Sequence, residues 1–595
     1  MNITKMPSTT TASPVPEVSL SPEEETAEKR KRDTYRRKII FGLFCPFALQ
    51  SLDFTIIASA LPFIATDFSA FLFFLFPWPN VLSWLSADNP CLVPDEIKQL
   101  NWIVSAFTLT SAAFLPFWAQ LADIFGRHLA LQAATAVMLA GSAICTGTST
   151  FSVLLLGRAL QGVGAAGVNI SIRTILADRV SLADYALNWT IFTLVSGVSI
   201  SCGPVIGGYL TRVSWRWCFA INLPVGVASI FIVLFLLRHE LLGPQSLPEM
   251  EIDGHDGVTR RGRFFARLST VDYGGQMLFL LGLGLLILAL TWGGGTYSWN
   301  NPAVLVPLVI GSVLSVCWII YESSMAPGSH MSHVFPNQTP MMSWELLSQR
   351  DIGLLFFINF TTGIASFAVL YFLNLYFVIV EGRSSSDAGI ALLFYIPGSG
   401  VGGLMAMFSS NVWPRQTLPP LLLGSLTSAV GMTVLAWAVH VKSTNVIYGM
   451  MALVGHGVLV RMNPGSLHGL AYFPAMTAQI SCLAAFALPF GGLVGLTIMS
   501  TVFINKSGAG QRDANDGITW AFIAMIPIMW LCVLLTTCLG NVWITNDGGQ
   551  EVVNGAYLWN LLGGRRLKRE QTARRGGSGR LAPIGVEKGL DNLLD

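Results

Sequence analysis

Apolar residues come in runs of about twenty along this chain, separated by short polar or charged breaks. A helix needs about 20 apolar residues to cross the hydrocarbon core of a bilayer. Runs of that length, bounded by charges, Gly/Pro or Asn/Asp turns, fall at 39–65, 100–121, 128–148, 152–173, 187–210, 217–238, 271–292 and 302–322. The others fall at 352–380, 388–408, 418–440, 445–465, 474–504 and 519–540. The pattern predicts an all-α polytopic membrane protein with fourteen transmembrane helices. One apolar stretch does not fit. Phe71–Pro79 and Val81–Leu85 are too short and are interrupted by Pro77 and Pro79, so they read as an interfacial loop on the outer side.

Composition agrees: 52% of residues are hydrophobic and 11% are charged, against about 25% charged in soluble chains. The charges gather in residues 1–38, Arg238–Asp272 and 541–595, which leaves the rest without the makings of an aqueous surface. A net charge of +2 is too small and dispersed for a nucleic-acid footprint. The nine cysteines include no C-x-x-C pair, so neither a disulfide framework nor a metal site is implied. Without a G-x-x-x-x-G-K-[ST] loop the chain has no ATP hydrolysis of its own to couple. No cleavable signal peptide precedes the first run, which is itself the membrane signal.

An even number of spans puts both ends on one side. With both termini cytoplasmic, 27 of the 35 Lys/Arg face inside, 7 face outside and Arg158 lies within a span, in line with the retention of positive charge in the cytoplasm. The organisation this predicts starts with a disordered cytoplasmic tail (1–38) and a six-helix half (39–238). Cytoplasmic linkers with two additional helices at about 271–292 and 302–322 follow (239–351), then a second six-helix half (352–540) and a second charged, disordered cytoplasmic tail (541–595). Carriers built from paired halves place the substrate near the midplane and rock one half against the other.

A charge at mid-bilayer costs on the order of 3 kcal/mol or more, so it needs a reason. Asp53 in the first span and Arg158 in the fourth are the candidates. A carboxylate near a guanidinium can load and release a proton as its surroundings alternate, while Arg stays charged and tunes it. Gln161 lies one turn from Arg158, and Asn359, Tyr371, Asn374 and Gln479 are further intramembrane polar groups that could line a cavity. The Gly-rich Pro397–Gly403 reads as a helix-packing surface and His456 as a satisfied core histidine. Asn505-Lys-Ser507 is a glycosylation acceptor for the outer side.

Several motifs carry a family resemblance over about 40–540. Ala119-Gln-Leu-Ala-Asp123-Ile-Phe-Gly126-Arg127-His128 resembles the loop between spans 2 and 3 of the major facilitator superfamily, with Ala119 and His128 as departures. Leu154-Leu-Leu-Gly-Arg158-Ala-Leu-Gln161-Gly162 is similar to its span-4 motif. Gly203-Pro204-Val-Ile-Gly207-Gly208 resembles the motif that marks its antiporters. Leu52-Asp53-Phe-Thr55 with Ala60-Leu61-Pro62, and Trp215-Arg216-Trp217 through Asn222-Leu-Pro224, resemble the fourteen-span drug:proton antiporter family of fungal multidrug efflux type.

The resemblance implies a major facilitator fold, two six-helix halves plus two extra helices. It implies that Asp53 and Arg158 couple protons, and that Asp123, Gly126 and Arg127 form a conformational latch on the cytoplasmic side, where Asp123 could cap a helix N-terminus or pair with a cation across the interface between the halves. Gly203, Pro204, Gly207 and Gly208 would seal against proton leak. The expected function is proton-coupled export of small hydrophobic or amphipathic compounds by alternating access, for drug, toxin or secondary-metabolite efflux. The alternatives are proton-coupled uptake of a nutrient or siderophore-iron and, third, a non-transporting membrane sensor. No enzymatic activity, cofactor, metal or nucleic-acid partner is expected. The protein is expected to act as a monomer, powered by the proton gradient, in the plasma membrane, with the vacuolar membrane as the alternative.

Overall fold

A computed structural model of the chain describes residues 30–572, apart from 65–93, 244–259, 545–549, 563–569 and gaps of one to three residues. Helix occupies every one of the fourteen apolar runs, numbered here α1 to α14. Helix α1 covers 33–53, and α2 is Pro94–Ala113, continued after one residue by Leu115–Phe125. Then come α3 (Arg127–Gly147), α4 (Phe151–Ala177), α5 (Leu182–Thr211) and α6 (Trp217–Leu237). The central pair is α7 (Tyr273–Trp292) and α8 (Pro302–Ser324). The last six are α9 (Arg350–Ile379), α10 (Asp387–Asn411), α11 (Leu418–His440), α12 (Thr444–Tyr472), α13 (Thr477–Lys506) and α14 (Ala514–Thr536). Among the described residues, 11 helices are long and apolar enough to cross a membrane, and the other three expected spans are α1, α2 and α5. The outer-side stretch Phe71–Leu85 lies outside the described residues.

These runs are helical because hydrocarbon offers no partner to a backbone N–H or C=O, which must therefore pair within the segment. Local chemistry sets the ends. The Asp272 carboxylate accepts the Gly275 amide at 2.8 Å where α7 begins, and Asn301 accepts the Ala303 amide at 2.9 Å before Pro302 opens α8. Gly126, at φ +94°, turns the chain from α2 into α3 across a single residue, a backbone conformation that other side chains resist. Among the described residues π-turns interrupt the helices at Val233–Leu237 in α6 and Ala368–Phe372 in α9.

The two halves use the same packing scheme. Helix α4 packs against α2 and α3, as α12 packs against α10 and α11. The Gly-rich start of α10 serves that contact: a Cβ at Gly398 would run into the Ala452 carbonyl of α12. Across the seam α5 lies along α10 and α12, and α13 lies against α2 and α4. The extra helices sit outside this frame, with Phe279 of α7 edge-on to Phe486 of α13 (5.5 Å between ring centres). Most of α8 presents bare apolar side chains, among them Leu305, Val306, Val309, Val313, Val316 and Ile320. A soluble protein does not tolerate such a stripe, and a lipid-facing one requires it.

The buried apolar side chains divide unevenly along the membrane normal. At the face that carries the start of α1 and the end of α14, one continuous core draws on both halves. It includes Leu43, Trp118, Ile172, Tyr185 and Trp189 from the first half and Ile352, Leu355, Leu467 and Leu470 from the second. At the opposite, distal face the cores separate. Ile56, Ile64, Ile103, Trp215 and Phe219 pack in the first half, and Phe372, Tyr376, Leu435, Met451 and Phe522 pack in the second. The halves are therefore closed together at the terminal face.

The segment after α14 corrects the expectation of an unstructured tail. Asn541–Ile544 (β1), Gln550–Val553 (β2) and Glu570–Thr572 (β3) form an antiparallel sheet in that order. Strand β1 also zips onto the chain ahead of α11. Thr417 donates its amide to the Val542 carbonyl (3.2 Å), and Ile544 donates to the Arg415 carbonyl (2.9 Å). The Asn541 side chain accepts the Leu418 amide at 3.2 Å and so caps α11 from 123 positions away. Composition gave no hint of this, because the apolar content that docks the tail amounts to a few residues such as Val542, Ile544 and Val552.

Candidate functional site

Four helices of the first half converge on one carboxylate. Asp53 of α1 is fully buried, and it accepts hydrogen bonds from Arg158 Nη1 of α4 at 3.2 Å, Gln161 Nε2 at 3.3 Å and Asn222 Nδ2 of α6 at 2.5 Å. Arg158 also donates to Gln161 Oε1 at 2.7 Å, and Gln161 in turn donates to Ser142 Oγ of α3 at 2.7 Å. The guanidinium lies over the Phe107 ring of α2, 4.3 Å from its centre, with the Phe219 ring on another side at 5.9 Å. Its Nε points to the Ile103 carbonyl at 3.4 Å.

Helical geometry explains why these residues meet. Arg158, Gln161 and Gly162 lie within about one turn and share a face of α4. That face needs Gly162, where a Cβ would strike the Phe107 carbonyl and the Thr110 hydroxyl of α2. Close approach of α2 and α4 excludes water from the pair. At an effective dielectric well below that of water, each hydrogen bond to a charge then counts for more. The arrangement is a charge pair with its polar atoms largely satisfied, able to change state when a proton binds the carboxylate.

Asp53, Arg158 and Gln161 are thus brought together. Gln161 belongs to the charge network itself, which makes it a bridge and not an isolated cavity group. Sequence reasoning passed over Asn222 and Ser142. Asn222 stands at the end of the Trp215–Pro224 run, and the signal that could have found it is an amide amid an apolar helix start.

The residues of the expected latch lie together at the terminal face. Arg127 pairs with Asp123 four residues earlier and donates its Nε to Asp178, just past the end of α4, at 3.0 Å. Both partners belong to the first half, so the cation that Asp123 meets lies in its own half and not across the interface. The one-residue turn at Gly126 also brings Arg127 within reach of Asp178 at the end of α4. Other groups cross the seam there: Gln120 donates to the Thr339 carbonyl at 2.9 Å, and Tyr185 of α5 reaches Ser466 of α12. Arg173 of α4 lays its guanidinium on the Trp189 ring at 4.4 Å beside them.

Helix α5 runs unbroken through Gly203, Pro204, Gly207 and Gly208. Gly207 admits the Ile56 carbonyl of α1, where a Cβ would collide, whereas Gly208 has nothing within 4 Å of a Cβ position. Of the polar groups expected on α9, Asn359 is buried and donates to the Leu355 carbonyl of its own helix at 2.9 Å. Asn374 is half-buried. Tyr371 lies in the π-turn, stacked on Phe367 (5.7 Å) and within electrostatic reach of Arg158 across the seam. Gln479 accepts the Ser343 hydroxyl at 2.8 Å, a linker contact. Asn505 is exposed at the distal end of α13. Among the described residues no three His, Cys, Asp or Glu side chains gather as a metal cage would require.

A second buried guanidinium appears in the other half. Arg461, which the charge count placed with the inner-side cations, lies inside α12 at 1% exposure. The helix runs on through Pro464 to Tyr472, well beyond the end expected from hydropathy.

Residues 43–252 match the sequence profile of the Major Facilitator Superfamily. The chain is 27% identical over 491 residues to the MFS-type transporter ucsD of Acremonium sp, covering 80% of this chain and 72% of that one. It is 30% identical over 404 residues to the MFS-type efflux pump LUC4 of Fusarium sp (67% of this chain, 62% of that one). It is 29% identical over 518 residues to the efflux pump FUS6 of Gibberella fujikuroi (86% and 82%).

Proposed function

The chain belongs to the major facilitator superfamily, and from that premise we propose that it is a proton-coupled exporter of small hydrophobic or amphipathic compounds, working by alternating access. The observation that carries the reading is the sealed pair of Asp53 and Arg158, tied through Gln161, Asn222 and Ser142 to four helices of one half. A guanidinium does not release its proton at physiological pH, so the carboxylate is the group that loads and unloads. Protonation of Asp53 cancels the attraction to Arg158 and loosens the join among α1, α3, α4 and α6. Binding of a proton and rearrangement of the half are thereby one event.

The rest of the molecule supports the direction. The terminal face is taken as cytoplasmic, as the Lys/Arg bias requires, and it is closed by one shared core. The distal cores stand apart, as in a carrier poised on its release side. Similarity to proteins named as efflux pumps favours export, and so does the Gly-Pro-x-x-Gly-Gly segment of α5. A proton crossing about 150 mV yields roughly 3.4 kcal/mol, enough for a several-hundred-fold cargo gradient at about 1.4 kcal/mol per tenfold. The protein acts as a monomer in the plasma membrane.

The test is transport in reconstituted liposomes with an imposed pH gradient and a fluorescent lipophilic cation as cargo. Uphill movement should stop when an ionophore collapses the gradient and should be absent in Asp53→Asn. Undiminished pumping in either case would overturn the proposal.

A further inference from the structure

The two halves repeat one packing scheme, and α4 and α12 each bury an arginine at their own height: Arg158 lies 7 residues from the start of α4 and Arg461 17 residues from the start of α12. In the first half Arg158 projects from α4 and meets the Asp53 carboxylate, the Gln161 amide oxygen and a backbone carbonyl. In the second half Arg461 projects from α12, the helix that packs on its neighbours as α4 does. Its surroundings differ. Nη1 lies 3.4 Å from the Thr361 hydroxyl of α9 and 3.8 Å from Cys532 Sγ of α14, while Nε and Nη2 meet no acceptor among the described residues. Thr361 and Cys532 are fully buried, Ser425 beside Cys532 is 1% exposed, and Tyr395 lies within electrostatic reach. No carboxylate among the described residues pairs with Arg461.

A guanidinium keeps its charge at any physiological pH, and a buried charge without a counter-charge is strongly unfavourable. The first half supplies the counter-charge from its own α1. Around Arg461 the second half offers hydroxyl and thiol groups, which can donate to an anion but cannot neutralise a cation. We propose that Arg461 holds one small monovalent inorganic anion, of the chloride class, with the Thr361 hydroxyl, which otherwise donates to the Ile358 carbonyl of its own helix at 2.9 Å, turning to serve as a second donor. Size follows from burial: among α9, α11, α12 and α14, Arg461, Thr361, Ser425 and Cys532 are each at most 1% exposed, an enclosure that suits a small ion. Charge follows from the donor set, one guanidinium and neutral neighbours.

The experiment uses the full chain in lipid nanodiscs. Its thermal unfolding midpoint is followed as chloride replaces gluconate at constant ionic strength and pH. The wild-type midpoint should rise with chloride and saturate, as for any ligand that binds the folded state alone. Arg461→Met should be at least as stable as wild type in gluconate, because it removes an unpaired charge, and should show no response to chloride. Thr361→Val, which keeps the shape and loses one donor, should need several-fold more chloride for half of the effect. A flat wild-type response, or an equal response in Arg461→Met, overturns the site. Should Arg461→Met fail to fold, an unchanged half-saturation in Thr361→Val overturns it instead. Acetate raising the midpoint more than chloride would overturn the inorganic assignment in favour of a carboxylate borne by the cargo. None of these readouts involves transport, so they stand or fall apart from proton-coupled export.

Discussion

Cutting the link between Asp53 and Arg158 tests the energetic basis of the site. At their 3.2 Å separation, Coulomb attraction at an effective dielectric of about 20 is roughly 5 kcal/mol. Burying each ion costs several kcal/mol, so the intact pair contributes little net stability. Removing one partner is different, because the other charge stays buried and uncompensated, at a cost of about 3–5 kcal/mol. Asp53→Asn and Arg158→Met should therefore each destabilise the protein by about 3 kcal/mol or more. The double variant keeps the neutral amides of Asn222 and Gln161 and buries no net charge, so it should recover most of that loss. A double-mutant cycle by reversible unfolding in mixed micelles should yield a coupling of about 5 kcal/mol, against the few tenths expected of independent sites. Additive effects, or single variants within about 0.5 kcal/mol of wild type, would refute the reasoning.

Three further perturbations have definite outcomes. Asn222→Leu removes the shortest hydrogen bond to Asp53 (2.5 Å); with charged hydrogen bonds worth about 1.5–3 kcal/mol, gradient-driven transport in vesicles should fall roughly tenfold or more while cargo binding is retained. Gly398→Ala drives a methyl group into the Ala452 carbonyl and should destabilise by about 1–3 kcal/mol. Gly400→Ala, two residues on with nothing within 4 Å, should be neutral or stabilising by up to about 1 kcal/mol; comparing melting midpoints separates the two. Asn505 should carry an N-glycan when the protein is made in a fungal host, with a mobility shift lost in Asn505→Gln, and its absence from a folded, surface-expressed protein would count against the assigned orientation.

The spans were legible because hydrocarbon imposes length and composition on each segment separately, so a run such as Pro302–Ser324 declares itself without reference to any other. Asp53 and Arg158 were legible for the same reason: a charge inside an apolar run stands out locally. Their partners were harder to see. Asn222 reaches Asp53 across 169 positions, and an amide at an apolar helix start marks the residue without saying which group it meets. Arg461 was counted with the inner-side cations because it falls four residues from the end of the 445–465 run, yet α12 continues to Tyr472 and keeps it inside. Asp123 could have capped a helix or met a cation across the interface, and only the turn at Gly126 reveals that its cation is Arg127 of the same half. The strands after α14 escaped notice because four-residue pairings held by backbone amides leave almost no trace in composition.

The stitching of β1 to the run before α11 bears on how the protein can be handled. A reporter joined beyond Thr572 hangs from a finished edge and should leave the fold alone. Truncation ahead of Asn541 would instead bare the amides of Thr417 and Leu418 and strip one end of α11 of its cap, so a shortened chain made for crystallisation or imaging would be damaged at a helix far upstream of the cut.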